Sequence, residues 1–323
     1  MRDLKIAMFG PKYVGKTSLL TAMYQQLENR SRRNNVQITP DTNTARILGK
    51  RLAELKSLSD DFEARAGVQT TEAAAGPDSV RSFFFDLGKK GTKPSLQLHF
   101  QDYPGGFILS EDNDEQKFVQ KLLAESTAVL IAIDAPSIME VKGRWHHYKN
   151  RPLEITTWFK NVYQDIKSPR LIILAPVKCE TYMENSKSAN ELLERVKSEY
   201  AILLDLFSSE ALQHKVAVVV TPVQTVGNVF FSRIDVINGK PHFFFSKREH
   251  DAEYNPIDTD QPLKYLLRFV LKLHMQQQWG IFNFIRNWLK LDDDFKKVVR
   301  EFAKDCKTTD GFEVIQGKEW LNI

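Results

Sequence analysis

Cysteine is scarce in this 323-residue sequence, which contains only Cys179 and Cys306. The two residues lie far apart and in no metal-ligand spacing, so the sequence argues against a disulfide framework and against a cysteine zinc site. Such sparse cysteine is typical of a reducing compartment. We therefore expect a cytoplasmic protein.

Long apolar runs and a large excess of one charge are also absent. No stretch approaches the roughly 20 apolar residues that a membrane-spanning helix needs, and the apolar run within MRDLKIAMFG is too short for a signal peptide. The net charge of +4 is small for this length and gives no support for nucleic-acid binding by bulk electrostatics. With 42% hydrophobic residues, the chain can still bury a substantial core.

Apolar strand patterns and amphipathic helix patterns alternate along most of the chain. This alternation implies right-handed crossovers and predicts an α/β fold, with a mainly parallel sheet covered by helices on both faces. Two further apolar runs, 80–87 and 95–101, predict an antiparallel hairpin. The predicted buried strands span 5–9, 128–133, 171–175 and 216–220, and predicted helices span 154–166, 190–207 and 262–274.

The predicted main domain spans residues 1–278, and two additions interrupt it. The first is a long segment at about 30–78, which is either mobile or an inserted helical element. The second is an extra hairpin at 228–246, built around an Asn-Gly pair that is a strong turn signal. Residues 279–323 are predicted to form a helical C-terminal extension, which includes an amphipathic helix near 281–288.

Residues 10–17 read Gly-Pro-Lys-Tyr-Val-Gly-Lys-Thr and match the phosphate-binding pattern GxxxxGK[ST] in full. Glycines let such a loop curl so that backbone N–H groups face a phosphate, and the following helix adds its positive end. Lys16 is then expected to reach the β- and γ-phosphates, and the Thr17 hydroxyl to bind Mg²⁺. A chance match in a turn is the alternative, but the predicted strand before the pattern and helix after it favour a phosphate loop. The expected nucleotide contacts in this loop are Gly10, Lys12, Tyr13, Val14, Gly15, Lys16, Thr17 and Ser18.

A second acidic site follows the second strand of the predicted first hairpin, where the sequence reads Asp102-Tyr-Pro-Gly105. Open parallel sheets bind ligands at the carboxyl ends of their strands. We expect Asp102 to hold Mg²⁺ through water, and the backbone N–H of Gly105 to meet the γ-phosphate. The plainer interpretation is a strand-ending aspartate in a Pro-Gly turn, but its pairing with the upstream loop favours the functional one.

The phosphate loop and the DYPG sequence together resemble the translation-factor-like and Ras-like GTPases, in which DxxG occupies this place. The resemblance covers roughly residues 5–275 in the order of elements. It implies a switch threonine before the first hairpin that binds Mg²⁺ when the γ-phosphate is present. Thr70 and Thr71 lie there, and Thr71 is favoured, although the long segment leaves Thr39, Thr42 and Thr44 open. The catalytic groups implied are Lys16, Gly105 and Thr71.

GTPases of this class read guanine with an NKxD sequence, and here Val177-Lys178-Cys179-Glu180 stands in its place. The Lys178 stem is expected to cover the base, and Glu180 to accept hydrogen bonds from guanine. The asparagine is replaced by Val177, so one bracing interaction is lost. The alternative is a solvated lysine and glutamate in a loop. A later loop that offers backbone N–H groups to the guanine oxygen is expected at Thr221, Pro222 and Val223.

The VKCE and TPV sequences, with 255–257 (NPI) and 261–263 (QPL), resemble bacterial GTPases of the stress-protein-like and "double-GTPase" groups. Gly106 departs from the Ras-type pattern, because a glutamine that positions the attacking water usually stands there. Slow hydrolysis that depends on a partner is therefore expected. Three directions stay open for the Lys12 side chain: toward the phosphates, across a dimer interface or into water.

The resulting hypothesis is a GTP/GDP switch that requires Mg²⁺ and signals to a protein effector or assembly partner, with a homodimer as one form of assembly. Two alternatives stay open: a nucleotide-binding scaffold that hydrolyses little, and an ATPase that shares only the phosphate loop. His146 and His147 were weighed as a metal pair, but a solvated loop is the better interpretation of adjacent histidines.

Overall fold

The protein is built on an eight-stranded sheet, seen in a computed structural model that describes residues 3–31, 35–57, 63–65, 81–275 and 293–323. The strands of the molecule are β1 Asp3–Phe9, β2 Val36–Pro40, β3 Glu63–Arg65, β4 Arg81–Lys89, β5 Leu96–Asp102, β6 Ala128–Asp134, β7 Arg170–Val177, β8 Val216–Val220, β9 Val229–Ile237, β10 Lys240–Lys247 and β11 Glu313–Gln316. The helices are α1 Lys16–Ser31, α2 Thr42–Ser57, α3 Asn113–Glu125, α4 Ala135–Met139, α5 His146–Asn150, α6 Pro152–Tyr163, α7 Ser186–Glu199, α8 Ala201–Ser208, α9 Gln261–Met275 and α10 Asp293–Ala303.

The strand order in the main sheet is β11-β8-β7-β6-β1-β5-β4-β2. The five strands from β8 to β5 are parallel to their neighbours. The flanking pairs β5–β4, β4–β2 and β8–β11 are antiparallel. The predicted α/β fold with a mainly parallel sheet is therefore confirmed, as is the antiparallel hairpin formed by β4 and β5.

Alternate residues of the central strand β1 enter two different cores. Ile6 and Met8 pack with α1, α2, α9 and α10 on one face of the sheet. Ala7 and Phe9 pack with α3, α6, α7 and α8 on the other face. Because both faces are covered, the inner strands β6, β7 and β8 are near-continuous apolar runs, as expected for a buried parallel sheet, whereas β5 alternates apolar with polar residues.

A second sheet has the order β3-β10-β9 and contains the predicted extra hairpin. Its turn residues Asn238 and Gly239 both have positive φ values, 50° and 73°, which a type I′ hairpin turn requires. Strand β3 comes from the inserted segment at 30–78, so this segment joins the hairpin. An apolar cluster holds the small sheet to the rest of the chain, and its buried members are Leu55, Val226, Val229, Phe243 and Phe245.

The C-terminal residues 293–323 pack against the main domain through a helix and a strand. Helix α10 lies against α9, and β11 pairs with the edge strand β8. The sequence prediction of a purely helical extension missed β11, because four residues, EVIQ, are too few to show a strand period. The predicted helix near 281–288 lies outside the described residues, and the boundary at 278 stays a prediction.

Polar side chains of α9 hold the end of α10. Arg268 donates to the carbonyl oxygens of Ala303 and Lys304 at 2.7 and 2.6 Å. Lys264 donates to that of Asp305 at 3.2 Å. These donors satisfy carbonyl groups that a helix end leaves unpaired. Among the described helices, none is long and apolar enough to cross a bilayer.

Candidate functional site

The loop between β1 and α1 turns sharply at the carboxyl edge of the sheet. Its backbone has positive φ values at Gly10, Tyr13 and Gly15, of 140°, 70° and 113°. Glycine is needed at position 15, since a side chain at that φ is strained and a Cβ there would lie 3.3 Å from Val177 Cγ2. Within the loop Lys12 and Tyr13 are exposed and Val14 is buried, while Ser18 is half-buried in the first turn of α1.

Lys16 is folded back over this loop. Its Nζ donates hydrogen bonds to the carbonyl oxygens of Gly10 at 2.8 Å and Pro11 at 3.2 Å. Only 8% of the residue is exposed. Burial lowers the pKa of Lys16, and the nearby Asp102 carboxylate opposes that shift. A buried cation held by two neutral carbonyl oxygens is well placed to exchange them for phosphate oxygens.

The two residues expected to hold Mg²⁺ meet directly. The Thr17 hydroxyl donates to Asp102 Oδ2 at 2.6 Å, although the residues are 85 positions apart. Parallel pairing of β1 with β5 brings them together, since it sets the ends of both strands at one edge of the sheet. No group of three or more His, Cys, Asp or Glu side chains that would cage a metal occurs among the described residues. One hydroxyl and one carboxylate fit Mg²⁺, which is usually held by few protein oxygens together with water and phosphate.

Gly105 rests directly on the phosphate loop. A Cβ on this residue would lie 2.7 Å from the Pro11 carbonyl oxygen and closer still to the Lys12 nitrogen. The DYPG segment, followed by the 3₁₀ helix Gly105–Leu109, is therefore in contact with the loop backbone. That the Gly105 N–H meets a γ-phosphate stays a prediction.

Tyr103 is a loop contact that the sequence did not single out. Its hydroxyl accepts a hydrogen bond from the Gly10 N–H at 3.4 Å, and Lys16 Nζ lies 5.4 Å from its ring centroid. The ring also packs against Phe9. Burial raises the pKa of Tyr103 well above its usual value. The buried, neutral Tyr103 therefore packs between β1 and the loop and accepts a hydrogen bond from the loop backbone.

Lys178 joins the phosphate loop to a carboxylate. Its Nζ donates to the Tyr13 carbonyl oxygen at 3.1 Å and forms an ion pair with Asp134 Oδ2 at 2.6 Å. The Asp134 side chain is almost completely buried. Sequence reasoning missed Asp134, although its signal was the one used for Asp102: an aspartate that ends a buried strand. The expected cover of a guanine base by the Lys178 stem stays a prediction.

Glu180 contacts the loop that follows β8. Its Oε1 accepts hydrogen bonds from the backbone N–H groups of Val226 at 3.0 Å and Gly227 at 3.2 Å. Burial raises the pKa of this carboxyl, and the backbone donors lower it. Its Oε1 therefore braces the loop after β8. The expected contact of Glu180 with guanine stays a prediction.

The expectation for Thr221, Pro222 and Val223 needs correction. The N–H of Thr221 donates to Leu174 O at 2.9 Å, and the N–H of Val223 donates to Pro176 O at 2.8 Å. Proline has no N–H to offer. These residues extend the pairing of β8 with β7, so their backbone donors are not available to a guanine oxygen.

Thr70 and Thr71 lie outside the described residues. Among the alternatives, the Thr44 hydroxyl accepts from the Phe84 N–H at 3.0 Å, and the Thr39 hydroxyl accepts from the Gln37 side chain at 3.2 Å. His146 was expected in a solvated loop, but it is fully buried. Its Nδ1 lies 3.1 Å from Asn150 Nδ2, which also donates to the Asp134 carbonyl oxygen.

Comparisons with known proteins give little beyond the fold. No family model and no curated protein matches this chain. Among solved structures, the signal recognition particle receptor SRb-GTP/SRX complex from Chaetomium thermophilum is similar over 71% of this chain and 93% of that chain, with 18% sequence identity and a TM-score of 0.37. A likeness this weak carries no argument about function, so the function is argued from the site alone.

Proposed function

We propose that this protein binds a nucleoside triphosphate with Mg²⁺ and hydrolyses it slowly, as a GTP-dependent switch. The observation that carries the proposal is the convergence of Lys16 Nζ with the Thr17–Asp102 pair at the mouth of a glycine loop. A strand, this loop and a helix follow one another in the order that a phosphate site needs.

Each group has a distinct part in the proposed reaction. Lys16 exchanges the carbonyl oxygens of Gly10 and Pro11 for β- and γ-phosphate oxygens, and the first N–H groups of α1 point at the same anion. The Thr17 hydroxyl and the Asp102 carboxylate hold Mg²⁺, which neutralises developing charge when bound. The Gly105 backbone, already on the loop, is placed to respond to the γ-phosphate.

Guanine selection is proposed for the other end of the loop. Lys178 fixes the loop through Tyr13 O and presents its stem beside the base, while Glu180 shapes the base pocket by bracing the loop at 226–227. A protein effector or assembly partner, including a second copy of the chain, is proposed to recognise the nucleotide state.

A second candidate is a nucleotide-binding module that scarcely hydrolyses. It is favoured by Gly106, which has no side chain to orient water and whose position has open space where a Cβ would stand. A binding measurement does not distinguish the two candidates, because both bind the nucleotide. Single-turnover release of inorganic phosphate does distinguish them. Phosphate release in step with loss of GTP supports the switch, and stable bound GTP supports the binding module.

The deciding experiment is a titration of the purified protein with GTP, GDP and ATP, with and without Mg²⁺. Lys16→Ala should lower GTP affinity by about 100-fold or more, because it removes the buried cation that meets the phosphates. Lys121→Ala is the control, since Lys121 is an exposed lysine on α3 that is not among the expected nucleotide contacts. Equal affinities of the two variants, or no nucleotide binding by the native protein, would contradict the proposal; tighter ATP binding would favour an ATPase.

A further inference from the structure

Arg81 lies across from Asp102 at the edge of the candidate site. It is the first residue of β4, and the antiparallel pairing of β4 with β5 sets its Cα opposite that of Asp102. Directly opposed residues in an antiparallel pair project from the same face of the sheet, with Cβ atoms about 4.5–5.5 Å apart. The Arg81 side chain therefore projects from the same face of the sheet as that of Asp102, whose carboxylate accepts the Thr17 hydrogen bond.

One donor of this guanidinium is buried without an acceptor. Arg81 Nη1 is inaccessible to solvent and has no hydrogen-bond partner within the part of the chain that the structure describes. Buried polar groups in folded proteins are paired in the great majority of cases, and an unpaired charged donor is costly. A planar guanidinium is also the side chain best matched to phosphate oxygens. The unpaired Nη1 thus points to an anionic ligand.

The charges around Asp102 favour such an anion. Lys16 and Arg81 both feel the attraction of the Asp102 carboxylate. A third cation, Arg51 on α2, is buried, pairs with Glu54 and lies close enough to repel Arg81. Burial, followed by that repulsion, lowers the pKa of Arg81. Among these described residues, three cations stand against the two carboxylates of Asp102 and Glu54, an excess of one positive charge.

We infer that Arg81 donates from Nη1 to the γ-phosphate of the bound nucleoside triphosphate and stabilises the charge on that phosphate during hydrolysis. The inference rests on the proposed function. Arg81 would supply, from within the same chain, a side-chain contact to the γ-phosphate, which Gly106 has no side chain to make. In this reaction, a water oxygen bonds to the γ-phosphorus while the bond from that phosphorus to the β–γ bridging oxygen breaks. The electron pair stays with the diphosphate, one proton of the water stays on the released phosphate, and the other goes to that phosphate or to solvent.

The test compares Arg81→Ala, Arg81→Gln and Arg81→Lys with Arg46→Ala, whose arginine is exposed on α2. Affinities for GDP and for a non-hydrolysable GTP analogue are measured with Mg²⁺, followed by single-turnover hydrolysis of GTP. For Arg81→Ala and Arg81→Gln, GDP affinity should stay within about twofold, and analogue affinity should fall about 10-fold. The hydrolysis rate should fall about 100-fold or more, which is the range for removing a preorganised donor to a transferring phosphoryl group. Arg81→Lys should recover part of the binding and less of the rate, because an ammonium keeps the charge but lacks the planar fork.

The outcomes separate this inference from the proposed function. Equal losses of GDP and analogue affinity, or an unchanged hydrolysis rate in folded Arg81→Gln, would show that Arg81 is structural and would overturn the inference while nucleotide binding stands. A native protein that binds no nucleotide would overturn both. If Arg81→Ala does not fold, as judged by circular dichroism, Arg81→Gln carries the comparison, because it keeps most of the side-chain stem.

Discussion

Gly105→Ala tests the closeness of the DYPG segment to the phosphate loop. The added Cβ would lie 2.7 Å from the Pro11 carbonyl oxygen, whereas ordinary contact begins near 3.4 Å, and it would lie closer still to the Lys12 nitrogen. Both neighbours are backbone atoms, so no flexible side chain can turn aside. The two segments must therefore separate by at least about 0.7 Å.

Overpacking of this kind costs typically 1–3 kcal/mol. Taking about 2 kcal/mol, the melting temperature of the nucleotide-free protein should fall by roughly 3 °C, given the shift expected for a chain of this size. Thermal unfolding followed by circular dichroism measures the fall. Hydrogen exchange at the Lys12 amide should also accelerate, because separation from Gly105 exposes this N–H.

Gly106→Ala provides the matched control. The neighbouring glycine is exposed, and a Cβ there meets no atom within 4 Å. Its unfolding free energy should change by less than about 0.5 kcal/mol, as is usual for surface substitutions. Equal melting temperatures for the two alanine variants would refute the contact between Gly105 and the loop.

Three further predictions concern polar side chains. Burial lowers the pKa of His146 to about 4, so only the unfolded chain takes up this proton between about pH 6.5 and 4. The unfolding free energy should therefore decrease as the pH is lowered through this range, by up to about 1.4 kcal/mol per pH unit. Urea unfolding at several pH values should show a weaker dependence of the unfolding free energy on pH for His146→Gln than for the native protein. Asp134→Asn removes the charge that pairs with Lys178 in a buried position and should lower the unfolding free energy by about 3 kcal/mol; a urea midpoint equal to that of the native protein would contradict this. Arg268→Ala removes two donors to the end of α10 and should cost about 1–2 kcal/mol, seen as faster proteolysis within 293–303 and not in β1.

The main sheet was predictable because its signals are local. The strands β6, β7 and β8 are near-continuous apolar runs, and β1 is followed by a glycine loop and a helix. The short edge strands β2, β3 and β11 were not predicted, because they have three to five residues each. In β2, Gln37 and Thr39 alternate with buried Val36 and Ile38, and this polar half made the segment look like a loop.

The meeting of the 10–17 loop with Asp102 could also be predicted, since it depends on one contiguous pattern and one strand-ending aspartate. What the sequence did not show depends on register between distant elements. Arg81 becomes relevant only when β4 pairs with β5 so that it faces Asp102. Tyr103 reaches Gly10 only because β1 and β5 are parallel neighbours with their ends level. No spacing in the chain encodes these distances.

The altered base sequence has a structural explanation that joins two of its departures. In the GTPases that the sequence resembles, an asparagine braces the base pocket at position 177 and an aspartate reads the base at 180. Here Val177 is buried beside Gly15 and cannot brace anything by hydrogen bonding. Glu180 has one more methylene than aspartate, and its Oε1 accepts from the N–H groups of the 226–227 loop. The side-chain hydrogen bonds that brace the 226–227 loop from this part of the chain therefore come from Glu180 and not from Val177.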